Sequence, residues 1–116
     1  MANRERLIKT LIDLIRIDSP TGEEDDIDRE VSARLAALGF EIYHDSFKNI
    51  IAKLPGDGEP LLLSAHIDTV EPGRGIRPVL DGDVLRSDGT TILGGDCKAG
   101  LTIVLEALTS VIDAGV

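Results

Sequence analysis

The run LLLSAHIDTV, Leu61 to Val70, brings three leucines up to His66 and Asp68, two groups that are costly to bury without partners. Residues two apart on an extended segment share a face, so the Asp68 carboxylate can reach the His66 imidazole. A metal-bound histidine commonly donates its other ring N–H to such a carboxylate, which fixes its tautomer. The same short pattern also describes a strand-end histidine satisfied by backbone, with Asp68 opening a turn. A second candidate is GGDCKAG, Gly94 to Gly100, where two glycines lead into Asp96 just before an apolar run. Aspartate is a favoured N-cap, so Asp96 reads either as the cap of the following helix or as a metal carboxylate. A phosphate loop is excluded, because Lys98 is followed by Ala99 and the P-loop glycine spacing is absent. Asp81, Asp83 and Asp88 lack the order of an EF-hand loop and read as turn residues. His44 has an acid only at the adjacent Asp45 and reads as structural.

Those residues need elements to hold them. From Asn3, an N-cap type, apolar residues recur at helical spacing to about Ile17, until DSPTG breaks the pattern. A second helix is expected from Glu23 to Leu38, with acids crowding its first turn and Gly39 as its stop. SPTGEE reads as the cap of that helix. Phe40–Asp45 and Asn49–Leu54 read as strands. PGDG turns the chain into a third strand, Pro60–Ala65, whose unbroken apolar run predicts a central strand covered on both faces. A hairpin is expected to turn at Asp81-Gly82, with another turn at Asp88-Gly89. The last helix, Lys98 to Asp113, carries a narrow polar stripe of Thr102, Glu106, Thr109 and Asp113 and is apolar elsewhere. The order of elements predicts an α/β protein with a mixed sheet flanked by helices.

Composition narrows the function classes. A chain of 116 residues is one domain's worth, and its 21 acids against 12 bases give a net charge of −9. A nucleic-acid binder needs a clustered basic surface, so no nucleic-acid partner is expected. The one cysteine, Cys97, excludes an internal disulfide and a cysteine-rich zinc module and accords with a reducing cytosol. Lys9, Asp13 and Arg16 interrupt any signal-peptide core, and no apolar run reaches the ~20 residues that cross a bilayer. A cytoplasmic protein with no membrane partner is the expectation.

LLLSAHIDTV, followed by DGDVLRSDGTTILGGDCKAGLTIVLEAL and preceded by SPTGEE, resembles the M20 family of dinuclear zinc peptidases, nearest the peptidase T branch of tripeptide aminopeptidases. The resemblance runs from the first helix to the end of the sequence. It implies a three-layer zinc-peptidase-like fold, of which residues 1–116 are the N-terminal segment of the catalytic domain, with the remainder and a smaller lid domain absent. It implies that His66 ligates one zinc, that Asp96 bridges two, and that Asp68 is the catalytic carboxylate partnering His66. Zn2+ is the implied cofactor and a small peptide the implied substrate, with M20 deacylases and carboxypeptidases as the alternative. The family's Glu-Glu pair, further acidic ligand and distal histidine have no counterpart here, so the chain alone is expected to be inactive. At Cys97 the peptidase T branch has a second aspartate and other branches methionine, which argues against a ligand there. The resemblance also implies a cis peptide after Asp96. A non-catalytic chain that self-associates is the rival reading. An uncovered sheet edge and final helix would in any case favour a homo-oligomer.

Overall fold

The computed structural model describes residues 1–115. Helix α1 (Arg4–Ile15) begins where the sequence places it, with the Asn3 side chain accepting from the Arg6 amide. Helix α2 (Asp25–Ala37) carries Asp25, Asp26 and Asp28 in its first turn, and Gly39 follows at φ 96°, a left-handed conformation that favours glycine. Strands β1 (Glu41–His44) and β2 (Ile50–Lys53) pair antiparallel, with Glu41 opposite Lys53 and His44 opposite Ile50. A smaller antiparallel hairpin joins β3 (Val79–Asp81) to β4 (Val84–Arg86). Its turn is Gly82-Asp83, one residue later than expected, with Gly82 at φ 61°. The chain enters α3 (Gly95–Asp113) through a kink, because Asp96 and Cys97 have non-helical backbone angles.

Among the described residues the protein is thus a small α/β fold of three helices and two two-stranded antiparallel sheets. Leu14, Ile27, Val31, Leu35, Leu101 and Leu105, drawn from all three helices, form the buried core. Ile42, Ile50 and Ala52 of the first hairpin pack on it. Burial of each such aliphatic side chain contributes roughly 1.5–3 kcal/mol, which is what holds helices this short.

The polar stripe of α3 turns inward. Thr102 and Glu106 are buried, and the Arg6 guanidinium donates through Nε and Nη2 to the two Glu106 oxygens, each at 2.8 Å. The Asn3 amide adds a bond of 2.7 Å to Glu106 Oε1, and Arg6 Nη1 reaches Asp113 at 3.1 Å. These contacts hold the start of α1 against α3. They also hold the Glu106 carboxyl down to about 2, chiefly through Arg6.

Residues 60–65 correct the expectation of a central strand. They form no strand in the described chain, and Leu61 and Leu62 are 85% and 87% exposed. A strand is defined by its neighbours' backbone groups, and no described segment pairs with this run. Between it and β2 lies an apolar groove of about 290 Å³, floored by Leu35, Leu101 and Leu108. Among the described residues no helix is long and apolar enough to cross a membrane.

Candidate metal centre

The turn after α1 anchors the loop that bears His66. Pro20 and Thr69 form a parallel bridge, in which the Thr69 amide donates to the Ser19 carbonyl at 2.8 Å and the Thr21 amide to the Thr69 carbonyl at 3.1 Å. The buried Ser19 hydroxyl donates to the Ile67 carbonyl at 2.8 Å. SPTGEE therefore docks onto residues 67–69, and α2 has no side-chain cap, contrary to the expectation for that segment.

On this frame His66 and Asp68 meet. His66 Nδ1 lies 3.1 Å from Asp68 Oδ1 and 3.0 Å from the Asp68 carbonyl. Both are acceptors, so Nδ1 carries a proton and donates it. His66 Nε2 lies 2.9 Å from Asp96 Oδ1. The Asp96 carboxylate, first, and then Asp68 raise the pKa of His66 above its usual range, against a partial desolvation. Asp68 is held below the usual carboxylate range, first by the Thr21 hydroxyl and then by His66. The three groups expected at the site are therefore brought together across two loops.

Asp96 does not cap α3. The N-cap position falls on Gly94, in a left-handed conformation at φ 84°, with no side-chain capping bond. The non-helical turn at Asp96-Cys97 instead aims the almost fully exposed carboxylate at His66. The peptide between these two residues is cis, as the resemblance implies.

Two residues supporting this arrangement were missed at the level of sequence. Thr21 donates to Asp68 Oδ2 at 2.6 Å. Lys98 is fully buried, and its ammonium donates to the Ile17 carbonyl just beyond α1. Burial lowers Lys98 to about 8, with Asp18 acting in the opposite direction. Lys98 so ties the α3 entrance, and with it Asp96, to the α1–α2 turn that holds Thr21. His44 also has an acid the sequence did not indicate, Asp28 of α2, at 2.9 Å.

The donor set fits zinc. An imidazole nitrogen of His66, a carboxylate oxygen of Asp96 and the Cys97 sulfur lie within 4.8 Å of one another. Nitrogen, oxygen and sulfur are all zinc donors, and the Nδ1–H bond to Asp68 leaves Nε2 as the ligating atom.

Known proteins share the fold of this chain. A tripeptidase of Staphylococcus aureus superposes on the whole chain with a TM-score of 0.94 and 35% identity, the chain covering 34% of that structure. Aminopeptidase PepT of Bacillus cereus matches 99% of the chain and is itself covered over 34%, with a TM-score of 0.91 and 33% identity. Among curated proteins, the YqjE protein of Bacillus subtilis is 35% identical over 93% of the chain and 32% of its own length. A proposed LysW-lysine/LysW-ornithine hydrolase of Pyrococcus abyssi is 34% identical over 97% of the chain and 33% of its own length. No protein-family model matches the chain.

In fold the chain matches a segment of a tripeptidase and of aminopeptidase PepT. Its likeness is to the peptidase T tripeptidases, and the chain spans about a third of the length of the proteins it matches.

Proposed function

We propose that this chain is the N-terminal segment of the catalytic domain of a zinc-dependent hydrolase of short peptides, acting as a tripeptide aminopeptidase. The observation that carries the reading is the placement of His66 between Asp68 and Asp96, at 3.1 and 2.9 Å, in a fold shared with a tripeptidase and with PepT. In this reading His66 Nε2 and the Asp96 carboxylate hold zinc. A bound zinc supplies Lewis acidity, drawing electron density from a peptide carbonyl and easing deprotonation of water. Asp68 holds the imidazole in one tautomer and disperses the positive charge it acquires. Thr21 and Lys98 keep the two loops in register.

The chain by itself is proposed to be inactive. Glu106, the one glutamate after Asp96, is committed to Arg6 and Asn3 in the core and is not available as a general base. The smaller lid domain and remaining ligands would belong to a longer parent. A cytoplasmic setting is part of the proposal, supported by a lone cysteine without a disulfide partner. Self-association through the exposed Leu61–Leu63 run or the outer face of α3 is proposed as well.

A second reading rests on the Pyrococcus abyssi relative, whose name describes a hydrolase of LysW-lysine or LysW-ornithine. In that case the parent would hydrolyse LysW-lysine or LysW-ornithine rather than a free tripeptide. Zinc-loaded parent protein, assayed side by side on tripeptides, N-acyl amino acids and LysW-lysine, decides between them. Turnover of tripeptides supports the first reading. Cleavage confined to LysW-lysine or the N-acyl amino acids overturns it.

A further inference from the structure

A cleft of about 320 Å³ opens at His66 and Asp96, and the side chains it adds to theirs include Val70, Ile92 and Leu93. Ligand sites span ~300–1,000 Å³, so the cleft has room for one side chain rather than for a whole peptide. Core packing does not account for its aliphatic residues. Val70 is 67% exposed, and Ile92 and Leu93 are half-buried and stand outside the core cluster of the three helices.

The neighbouring threonine gives the cleft its carbon side. Thr69 is almost fully buried, with its methyl 3.4 Å from where a Cβ on Gly94 would stand and its hydroxyl turned towards Gly73. The two loops are also braced in advance. The Ile92 amide donates to the Pro72 carbonyl at 2.9 Å, and the Thr69 amide to the Ser19 carbonyl at 2.8 Å. A site held in this way spends little binding energy on ordering itself.

The charged groups of the lining are His66, Asp68 and Asp96. Asp68 is committed to Thr21 and His66, and in the zinc reading Asp96 belongs to the ion. An ammonium entering the cleft therefore finds no free carboxylate to offset its desolvation. An aliphatic side chain leaves water at a gain.

We propose that this cleft receives an aliphatic side chain next to the scissile bond, so that the parent acts on short peptides with a leucine-type residue there and discriminates against lysine and ornithine. The proposal rests on the zinc reading of His66 and Asp96 and names the substrate class of that site. Val70, Ile92 and Leu93 are its specificity-determining residues.

Methyl NMR on the zinc-treated full chain tests it, with Leu-Leu-Gly and Lys-Lys-Gly as probes and zinc retention measured separately by dialysis. The leucyl peptide should move the methyl signals of Val70, Ile92 and Leu93 and leave those of Leu14 and Leu105 in place. It should bind at least about tenfold more tightly than the lysyl peptide, the low end of what an apolar pocket discriminates. Val70→Asp, a change at an exposed position, should abolish or reverse that preference while circular dichroism shows the helices intact. Equal binding of the two peptides, or movement only at the Leu61–Leu63 run, overturns the proposal. Retained zinc without selective movement at the three residues overturns the cleft and leaves the zinc reading intact. Selective movement without retained zinc supports the cleft and overturns the zinc reading. Neither zinc nor movement overturns both.

Discussion

Thr21 donates to Asp68 Oδ2 at 2.6 Å, so the turn after α1 holds the carboxylate that in turn holds His66. Partners of this kind orient a metal ligand from one step away, and their loss typically lowers metal affinity by about 10–100-fold. Thr21→Val should weaken zinc binding by about tenfold, the low end of that range, since His66 keeps its bond to the Asp68 carbonyl. The same variant should raise the Asp68 pKa back towards 3.8, because its largest depressing influence is gone. Thr21→Ser should restore both. Carboxyl NMR titration and zinc competition would check the pair, and an unmoved Asp68 in Thr21→Val would sever the link.

Lys98 joins two parts of the fold through one buried side chain. Lys98→Ala removes its stem from beneath Gly94 and leaves the Ile17 carbonyl unpartnered, so it should destabilise the chain by about 2–5 kcal/mol. Lys98→Met keeps the stem and loses only the bond, and should cost about 1–3 kcal/mol. Denaturant unfolding gives the order. Alanine at least as stable as methionine would show that the buried stem contributes nothing.

The Glu106–Arg6 pair sets an acid limit on stability. Glu106 has a folded pKa of about 2 against an ordinary 4.5, so its contribution is complete above 4.5 and is lost as pH falls towards 2. Glu106→Gln should be less stable than wild type at neutral pH by about 1.5–3 kcal/mol, the worth of hydrogen bonds to a charged group. That difference should shrink steadily below pH 4.5 as the wild-type carboxyl protonates. A gap independent of pH would mean that the carboxylate charge does not hold α1 to α3.

The apolar run at Leu61–Leu63 lies open to solvent, beside an apolar groove. Contiguous apolar surface with unpaired strand-like backbone invites pairing with another chain. Sedimentation at micromolar concentration should show species larger than 12.4 kDa, and Leu62→Glu should shift them towards monomer. A wild-type monomer that binds no apolar dye would rule this out.

Local signals were the legible ones. Asn3, the acids opening α2, Gly39 and the two hairpins each follow from residues a few positions apart, and each stands within a residue or two of its expected place. What escaped depends on distant partners. Thr21 finds Asp68 47 residues away, and nothing near Thr21 marks it for that role. The α3 stripe looks like a solvated edge until Arg6 is placed opposite Glu106. Lysine is rarely fully buried, so Lys98 gave no signal of its burial. The run Pro60–Ala65 has the composition of a central strand, but composition cannot supply the neighbouring backbone that makes one. His66, Asp68 and Asp96 stood out in sequence by residue type and spacing, while their meeting across two loops depends on the fold.

Arg6 and Glu106 also set a clock on synthesis. They are 100 positions apart, so α1 is synthesised 100 residues before its permanent partner exists. At ~5–20 residues per second that wait is about 5–20 s. Through it α1 is a nascent amphipathic helix with nowhere to dock, at the marginal length for an isolated helix. The arrival of α3, rather than the exit of α1, would then decide when α1 docks, and chaperones would meet the Leu14 and Ile15 face before α3 does.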